Sequence, residues 1–453
     1  MTDVFPYRRA AHRPPVSSTG DAQVDQHVVA LVAALSEAAR ELGVPGSPDL
    51  VHDVLVELAR TTLAPVAHRE VHPQGRDTRS NIKLTLRHTR DLRALFEYMA
   101  QYPGPKVTVF GSARTPVASP SYALVHETAG ALAEHGYWVV NGGGPGAMAA
   151  ATAGASESAL QVAIALPFEP RHPDDGDTAL VLDKYAVRKL GLIRDSVALV
   201  AAPGGFGTLD ELYECITLMQ TGKHPIMPVF LLEPAGFGLW EHVDTLHSAL
   251  LERGMISAHD LDLTARVHSP AEVIDGIARF YSAFHSYVMV DHRAVGGMNV
   301  SYLVMRLQPG VELSDELRAS LAEEFADIIP SGGIDVARLA DKEIREVERG
   351  LADFPEICAA DPALSRLATD DWEGLGTREE RLGRIDFAFG VPLSNVEDVH
   401  DRLRLQMFAE LPRIGFWFNN RSYARLGAMI RRINASARQP ERSPDRSAPD
   451  LDR

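Results

Sequence analysis

Three glycine-bearing segments carry most of the chemistry that can be read from this chain. They are Phe110-Gly111-Ser112-Ala113-Arg114, Asn141-Gly142-Gly143-Gly144-Pro145-Gly146 and Pro203-Gly204-Gly205-Phe206-Gly207-Thr208. Each follows a short apolar run. Glycine has no Cβ, so its backbone reaches φ > 0 and its N–H can approach an oxyanion closely. A helix starting at such a turn adds unpaired N–H groups and the positive end of its dipole, which together favour a phosphate. In the third segment Thr208 is expected to cap the helix or touch phosphate, with Asp210 and Glu211 in the first helical turn. One such turn alone is more often a plain tight turn, but three on one sheet edge favour a phosphate site. None is a G-x-G-x-x-G fingerprint at the first turn, and no G-x-x-x-x-G-K-[ST] loop occurs. Dinucleotide and triphosphate chemistry therefore both lose ground.

The elements that must hold these turns follow from the apolar pattern. Strands are expected at Val107–Phe110, Trp138–Val140, Val162–Leu166, Val197–Ala201 and Met227–Leu232, each short, apolar and soon followed by Gly or Pro. Helical spacing appears between them at Tyr122–His135, Arg188–Arg194 and Leu209–Met219, and after them at Trp240–Glu252 and Pro270–Phe284. Short runs apolar on both faces, separated by helices, predict a Rossmann-like α/β fold, a doubly wound parallel sheet covered on both sides. Ligands bind such sheets at the carboxyl ends of the strands.

Upstream, helices are expected over 24–42, 48–63 and 82–98. Downstream, Ser301–Leu307 and Arg413–Phe418 read as strands, Asp315–Ile328 and the basic stretch Tyr423–Ile433 as helices. The expected organisation is a disordered N-terminus (1–23), a helical N-terminal segment (24–105), the Rossmann-like domain (106–285), a smaller C-terminal α+β domain (286–435) and a disordered tail (436–453). The length of 453 residues exceeds the usual single core, which supports this division.

Composition narrows the partners. A formal net charge of -16 argues against a general nucleic-acid or membrane surface, both of which need clustered Lys and Arg. The only cysteines, Cys215 and Cys358, have no metal-ligand or redox-motif neighbours, so neither a disulfide framework nor a metal site is expected. His68 and His72 stand at i and i+4 without a third ligand or the H-E-x-x-H order. No stretch of about 18 apolar residues and no apolar leader is visible, so a cytoplasmic protein is expected.

Arg188-Lys189, followed by Pro203-Gly204-Gly205-Phe206-Gly207-Thr208-Leu209-Asp210-Glu211, resembles the pattern of the LONELY GUY (LOG) family, an R-K pair and then P-G-G-x-G-T-x-x-E. The resemblance takes in Gly111-Ser112, Asn141 to Met148, Leu166-Pro167-Phe168-Glu169 and Leu218-Met219-Gln220-Thr221-Gly222-Lys223, of which the last two look like the longer bacterial form. It spans roughly 81–284, less than half of the chain.

The resemblance implies hydrolysis of the N-glycosidic bond of a nucleoside 5′-monophosphate to free base and ribose 5-phosphate, without a cofactor. It implies an essential arginine at Arg188, a catalytic glutamate at Glu211 and a substrate contact at Lys189. Further substrate contacts are expected from Ser112, Arg114, Gly143, Gly144, Gly146, Met148, Glu169, Gly204, Gly205, Phe206, Gly207, Thr208 and Thr217. N-ribosidic cleavage passes through a ribosyl cation, which needs a nearby carboxylate and a directed water. Asp210 and Glu214 are read as supporting or surface residues. Family members associate as dimers or higher homo-oligomers with the active site near the subunit contact, and the same is expected here. The alternative is a nucleotide or molybdenum-cofactor carrier, or a sensor, of the same fold that binds without cleaving.

Overall fold

In the computed structural model the described residues are 30, 33, 34, 78–165, 179–295, 298–308, 310–330, 332–336, 412–420 and 423–436. Of the helix expected over 24–42, only residues 30, 33 and 34 are described, and they are helical. The helix expected over 48–63, the His68/His72 pair, Glu169, Cys358 and both terminal tails lie outside the described residues.

Alternation of strand and helix builds a seven-stranded parallel sheet. The elements are α1 (Thr78–Ala100), β1 (Lys106–Phe110), α2 (Pro120–Glu134), β2 (Trp138–Asn141), α3 (Ala147–Ala155), β3 (Ala159–Ile164), β4 (Ala179–Leu182), α4 (Tyr185–Ile193), β5 (Ser196–Ala201), α5 (Phe206–Gln220), β6 (Val229–Leu232), α6 (Leu239–Glu252), β7 (Thr264–Val267) and α7 (Pro270–Phe280). Strand order is β4-β3-β2-β1-β5-β6-β7. The winding reverses between β1 and β5, which pair in parallel, so the crevice at their carboxyl ends is the switch point where α/β sheets hold ligands.

The expected Rossmann-like sheet is thus present, and its packing explains the apolar runs. Successive strand residues point to opposite faces. Val107, Val109, Val139, Ala198 and Val200 bury against α2, α3 and α7. Phe110, Val140, Leu160, Val162, Leu199 and Ala201 bury on the other face, in the cluster shared with α1, α4, α5 and α6. The helices that carry Arg188 and Glu211 therefore lie on one face of the sheet. Ser119 caps α2 and Ser269 caps α7, each followed by a Pro in the first turn.

The remaining elements are β8 (Phe284–Val295), β9 (Met298–Leu307), α8 (Asp315–Glu324), β10 (Asp335–Val336), β11 (Arg413–Asn419) and α9 (Tyr423–Ser436), with an antiparallel sheet in the order β10-β11-β9-β8. The helix expected over Pro270–Phe284 ends four residues early. The N–H groups of Ala283 and Phe284 are taken by Asn434 Oδ1, both at 2.9 Å, and Phe284 opens β8 instead. Leu303, Met305, Phe416, Phe418, Met429 and Ile430 join the same buried cluster as α1, α4 and α5. The arginines of α9 are engaged outward: Arg425 with Asp327, Arg431 with Asp262 and Arg432 with Glu324. That is the pattern of an amphipathic helix packed on its apolar side. None of the described helices is long and apolar enough to cross a membrane.

Candidate active site

The three glycine turns meet at the switch point through main-chain bonds. Ser112 N–H donates to Pro203 O at 3.1 Å, and Ala147 N–H donates to Ser112 O at 3.0 Å. Ser112 thus ties the β1 turn both to the β5 turn and to the start of α3. Its Oγ accepts from Arg114 N–H at 3.1 Å, a local turn bond, and Arg114 itself is exposed. In the second turn Asn141 Oδ1 accepts from Gly143 N–H at 2.9 Å while its amide donates to Thr152 at 3.0 Å. Gly146 has φ +70 directly above the Ser112 and Ala113 carbonyls, a place no side chain can share. Met148 lies under the same turn, its Sδ 3.1 Å from where a Cβ on Gly142 would sit.

Arg188 closes the site from the α4 side and is only 8% exposed. Its Nε donates to Val162 O at 3.0 Å, Nη1 to Glu211 Oε1 at 2.8 Å and Nη2 to Gly142 O at 3.4 Å. One guanidinium therefore fastens β3, the β2 turn and α5 together. A side chain on Gly142 would collide with that guanidinium, which is why a glycine stands there. Burial pushes the Glu211 carboxyl above its ordinary pKa, and the Arg188 charge pulls against that shift.

Helix α5 begins earlier than its apolar pattern suggests, and two expectations change with it. Gly205 is the N-cap and makes no side-chain bond. Thr208 is therefore not the cap; it lies inside the first turn, buried, with its side chain packed on Gly204. Asp210 and Glu211 fall in the second turn rather than the first. The one-turn offset leaves the free N–H groups of the helix start at the sheet edge and puts Glu211 behind them, facing Arg188.

Lys189, Phe206 and Thr217 gather elsewhere, along an open groove of about 550 Å³ on the outer side of α5 that Asp210, Tyr213 and Glu214 also line. Lys189 Nζ lies 2.7 Å from Asp210 Oδ2 and 3.0 Å from Glu214 Oε2. Burial works to lower the lysine pKa, but the two carboxylates outweigh it and hold the ammonium above its ordinary value. Phe206 is 93% exposed at the mouth of this groove. Tyr213 donates across to, or accepts from, His247 Nε2 at 3.0 Å.

The candidate residues thus form two neighbouring groups. One is the edge group of Ser112, Gly143, Gly144, Gly146, Met148, Arg188, Gly204, Gly205, Gly207, Thr208 and Glu211; the other is the groove group. Tyr213 is not among the residues expected from sequence, and Asn141 is expected there only as the first residue of its glycine turn. Asn141 had a signal, because an Asn before a glycine run commonly bonds its own turn; Tyr213 had none. Among the described residues no three His, Cys, Asp or Glu are grouped so as to hold a metal.

Parts of the chain are similar to known proteins. A family model described as "Possible lysine decarboxylase" matches residues 144–277. A cytokinin riboside 5′-monophosphate phosphoribohydrolase of Mycobacterium tuberculosis is 31% identical over 152 residues, which is 31% of this chain and 78% of that protein. The chain belongs to the LONELY GUY (LOG) family.

This LOG chain is also 32% identical over 123 residues to a cytokinin riboside 5′-monophosphate phosphoribohydrolase of Arabidopsis thaliana, a match covering 27% of the chain and 55% of that relative. It therefore spans only about half the length of the plant relatives it matches. Among solved structures, the molybdenum cofactor carrier protein of Chlamydomonas reinhardtii aligns at 23% identity with TM-score 0.29, over 39% of this chain and 98% of that one.

Proposed function

We propose that the protein hydrolyses the N-glycosidic bond of nucleoside 5′-monophosphates, releasing the free base and ribose 5-phosphate. The observation that carries this reading is the buried Arg188–Glu211 pair beneath the converging glycine turns. The N–H groups at the start of α5, with the turn Gly204-Gly205, hold the 5′-phosphate, as helix N-termini hold anions. The relatives' names support a nucleotide monophosphate as the substrate class.

With the phosphate held there, the ribose lies over the second turn of α5. Glu211 Oε1 is committed to Arg188, so Oε2 serves the reaction. As the C1′–N bond breaks, positive charge grows on the ribose and the ionised carboxylate stabilises it. Water then forms the new bond to C1′ and gives its proton to Glu211; the base leaves with the C1′–N electron pair and takes up that proton, which returns Glu211 to its ionised form. Arg188 draws the Glu211 pKa down against the burial that raises it. Lys189, Phe206 and Thr217 flank the base side of the substrate, and Ser112, Arg114, Gly143, Gly144, Gly146, Met148, Gly207 and Thr208 shape the edge around it. Glu169 remains a proposed contact outside the described residues. We place the protein in the cytoplasm, where nucleoside monophosphates are found, as a homo-oligomer with AMP-type or other purine, pyrimidine or cytokinin monophosphates as substrates, and without nucleic acid or membrane among its partners.

The test is a panel of nucleoside monophosphates incubated with the full chain, with free base and ribose 5-phosphate quantified by chromatography. Stoichiometric release of both from at least one member is expected. Binding of monophosphates without any product would overturn the hydrolase reading in favour of a carrier or sensor.

A further inference from the structure

Helix α4, which carries Arg188 and Lys189, has no cap of its own. Its N-cap residue Lys184 makes no side-chain bond to the helix start, and the first turn contains no acidic residue. The missing carboxylate comes from α1. Asp91 Oδ2 accepts from Asp183 N–H at 3.0 Å and from Lys184 N–H at 2.8 Å, across 92 and 93 residues of chain. Asp91 is 9% exposed, so these bonds are shielded from competing water. A carboxylate at this end of a helix also opposes the positive pole of its dipole.

Two more residues on the same stripe of α1 hold the neighbourhood of Arg188. Leu95 presses on α4 at Gly191, where a Cβ would come within 2.5 Å of Leu95 Cδ1. Tyr98 Oη accepts from Gln161 N–H at 3.2 Å, on β3, beside Val162, whose carbonyl receives Arg188 Nε. Positions 91, 95 and 98 share one face of the helix at the i, i+4, i+7 spacing. α1 thus grips both elements between which the guanidinium is stretched, and it lies before the segment that the family model matches.

We propose that Asp91 is a positioning residue for the reaction: by fixing the start of α4 it sets the reach of Arg188 to Glu211. This rests on the hydrolase reading for its kinetic consequence, but not for its structural one. A short helix held at its N-cap and the residue before it keeps a side chain one turn on in register. Released, α4 can shift, and a displacement of about 1 Å at a catalytic group can cost about 100-fold in rate.

Three measurements on the full chain test this. In Asp91→Ala, kcat for the best monophosphate is expected to fall by about 10- to 100-fold with KM within about threefold, since the phosphate turn is untouched. In Asp91→Asn, whose amide oxygen can still accept both N–H groups, kcat is expected to return to within about fivefold of the parent, because the acceptor geometry rather than the charge sets the helix. In ¹³C-glutamate-labelled protein, with Glu211→Gln used for assignment, the Glu211 carboxyl is expected to titrate at higher pH in Asp91→Ala, because the guanidinium that lowers its pKa is displaced. Failure of any of the three overturns the proposal. If the parent protein hydrolyses no monophosphate, the hydrolase reading fails and the titration alone decides the placement of Arg188. If Asp91→Ala does not fold, Gly191→Ala pushes α4 off Leu95 from the other end and is read by the same kcat loss and titration shift; no change in either overturns the proposal.

Discussion

Arg188 and Glu211, 23 residues apart on two different helices, meet at 2.8 Å with both side chains nearly buried. Their meeting joins α4 to α5 across the carboxyl edge of the sheet, and it has consequences for stability as well as for chemistry. Removing one partner of a buried pair leaves the other charge uncompensated.

Arg188→Ala is therefore expected to destabilise the protein by about 3–5 kcal/mol, and adding Glu211→Gln to restore part of that loss. Denaturant unfolding of the two single variants and the double variant measures the coupling. Strict additivity would mean that the two side chains do not interact in solution. Arg188→Lys is expected to rescue little, since an ammonium cannot reach Val162 O, Gly142 O and Glu211 together as the planar fork does.

The pH dependence follows from the environment of Glu211. In the proposed mechanism its reactive form is ionised, and burial outweighs Arg188 to raise its pKa from 4.5. Activity falls as pH drops through that pKa, so the acid limb of kcat/KM is expected above 4.5. A limb at or below 4.5 would assign the titration to an ordinary exposed carboxylate instead.

Gly142→Ala makes a separate prediction. A methyl group there intrudes on the Arg188 guanidinium, so kcat is expected to fall by about 100-fold, as a displaced catalytic group would cause. Gly205→Ala, at a position with open space around it, is the matched control for phosphate binding and is expected to act mainly on KM. Steady-state kinetics of the two variants separate the effects; equal effects on kcat would contradict the assignment.

Asn434 tests the seam between the parallel sheet and the following strands. Its Oδ1 is the acceptor for Ala283 and Phe284 N–H, so Asn434→Ala is expected to lower stability by about 1–3 kcal/mol, the typical cost of an unsatisfied buried donor. KM for the substrate should stay unchanged. Thermal unfolding with parallel kinetics reads both.

How far the fold could be read from sequence depended on where a strand sits. β1, β2, β3, β5 and β6 lie inside the sheet and so appear as mainly apolar runs, interrupted by Thr108 in β1 and Gln161 in β3. β4 and β7, the two edge strands, are not among the strands expected, and of the two only β7 lacks an apolar run. Three of four residues in Ala179–Leu182 and in Thr264–Val267 are not fully buried, and a run such as Thr-Ala-Arg-Val carries no apolar signal. In the site, Arg188 and Glu211 belong to a local pattern and could be named. The start of α5 was misplaced because Gly205 serves as a cap without offering a side chain to recognise. Asp91 could not be found at all, since nothing local links it to a helix 93 residues downstream.

The most direct measurement is the steady-state rate of Glu211→Gln on whichever monophosphate the parent protein cleaves best. Loss of the carboxylate is expected to lower kcat by about 10²–10⁴, with KM within about threefold because phosphate binding is left intact. A variant that still released base and ribose 5-phosphate at the parent rate would contradict the account.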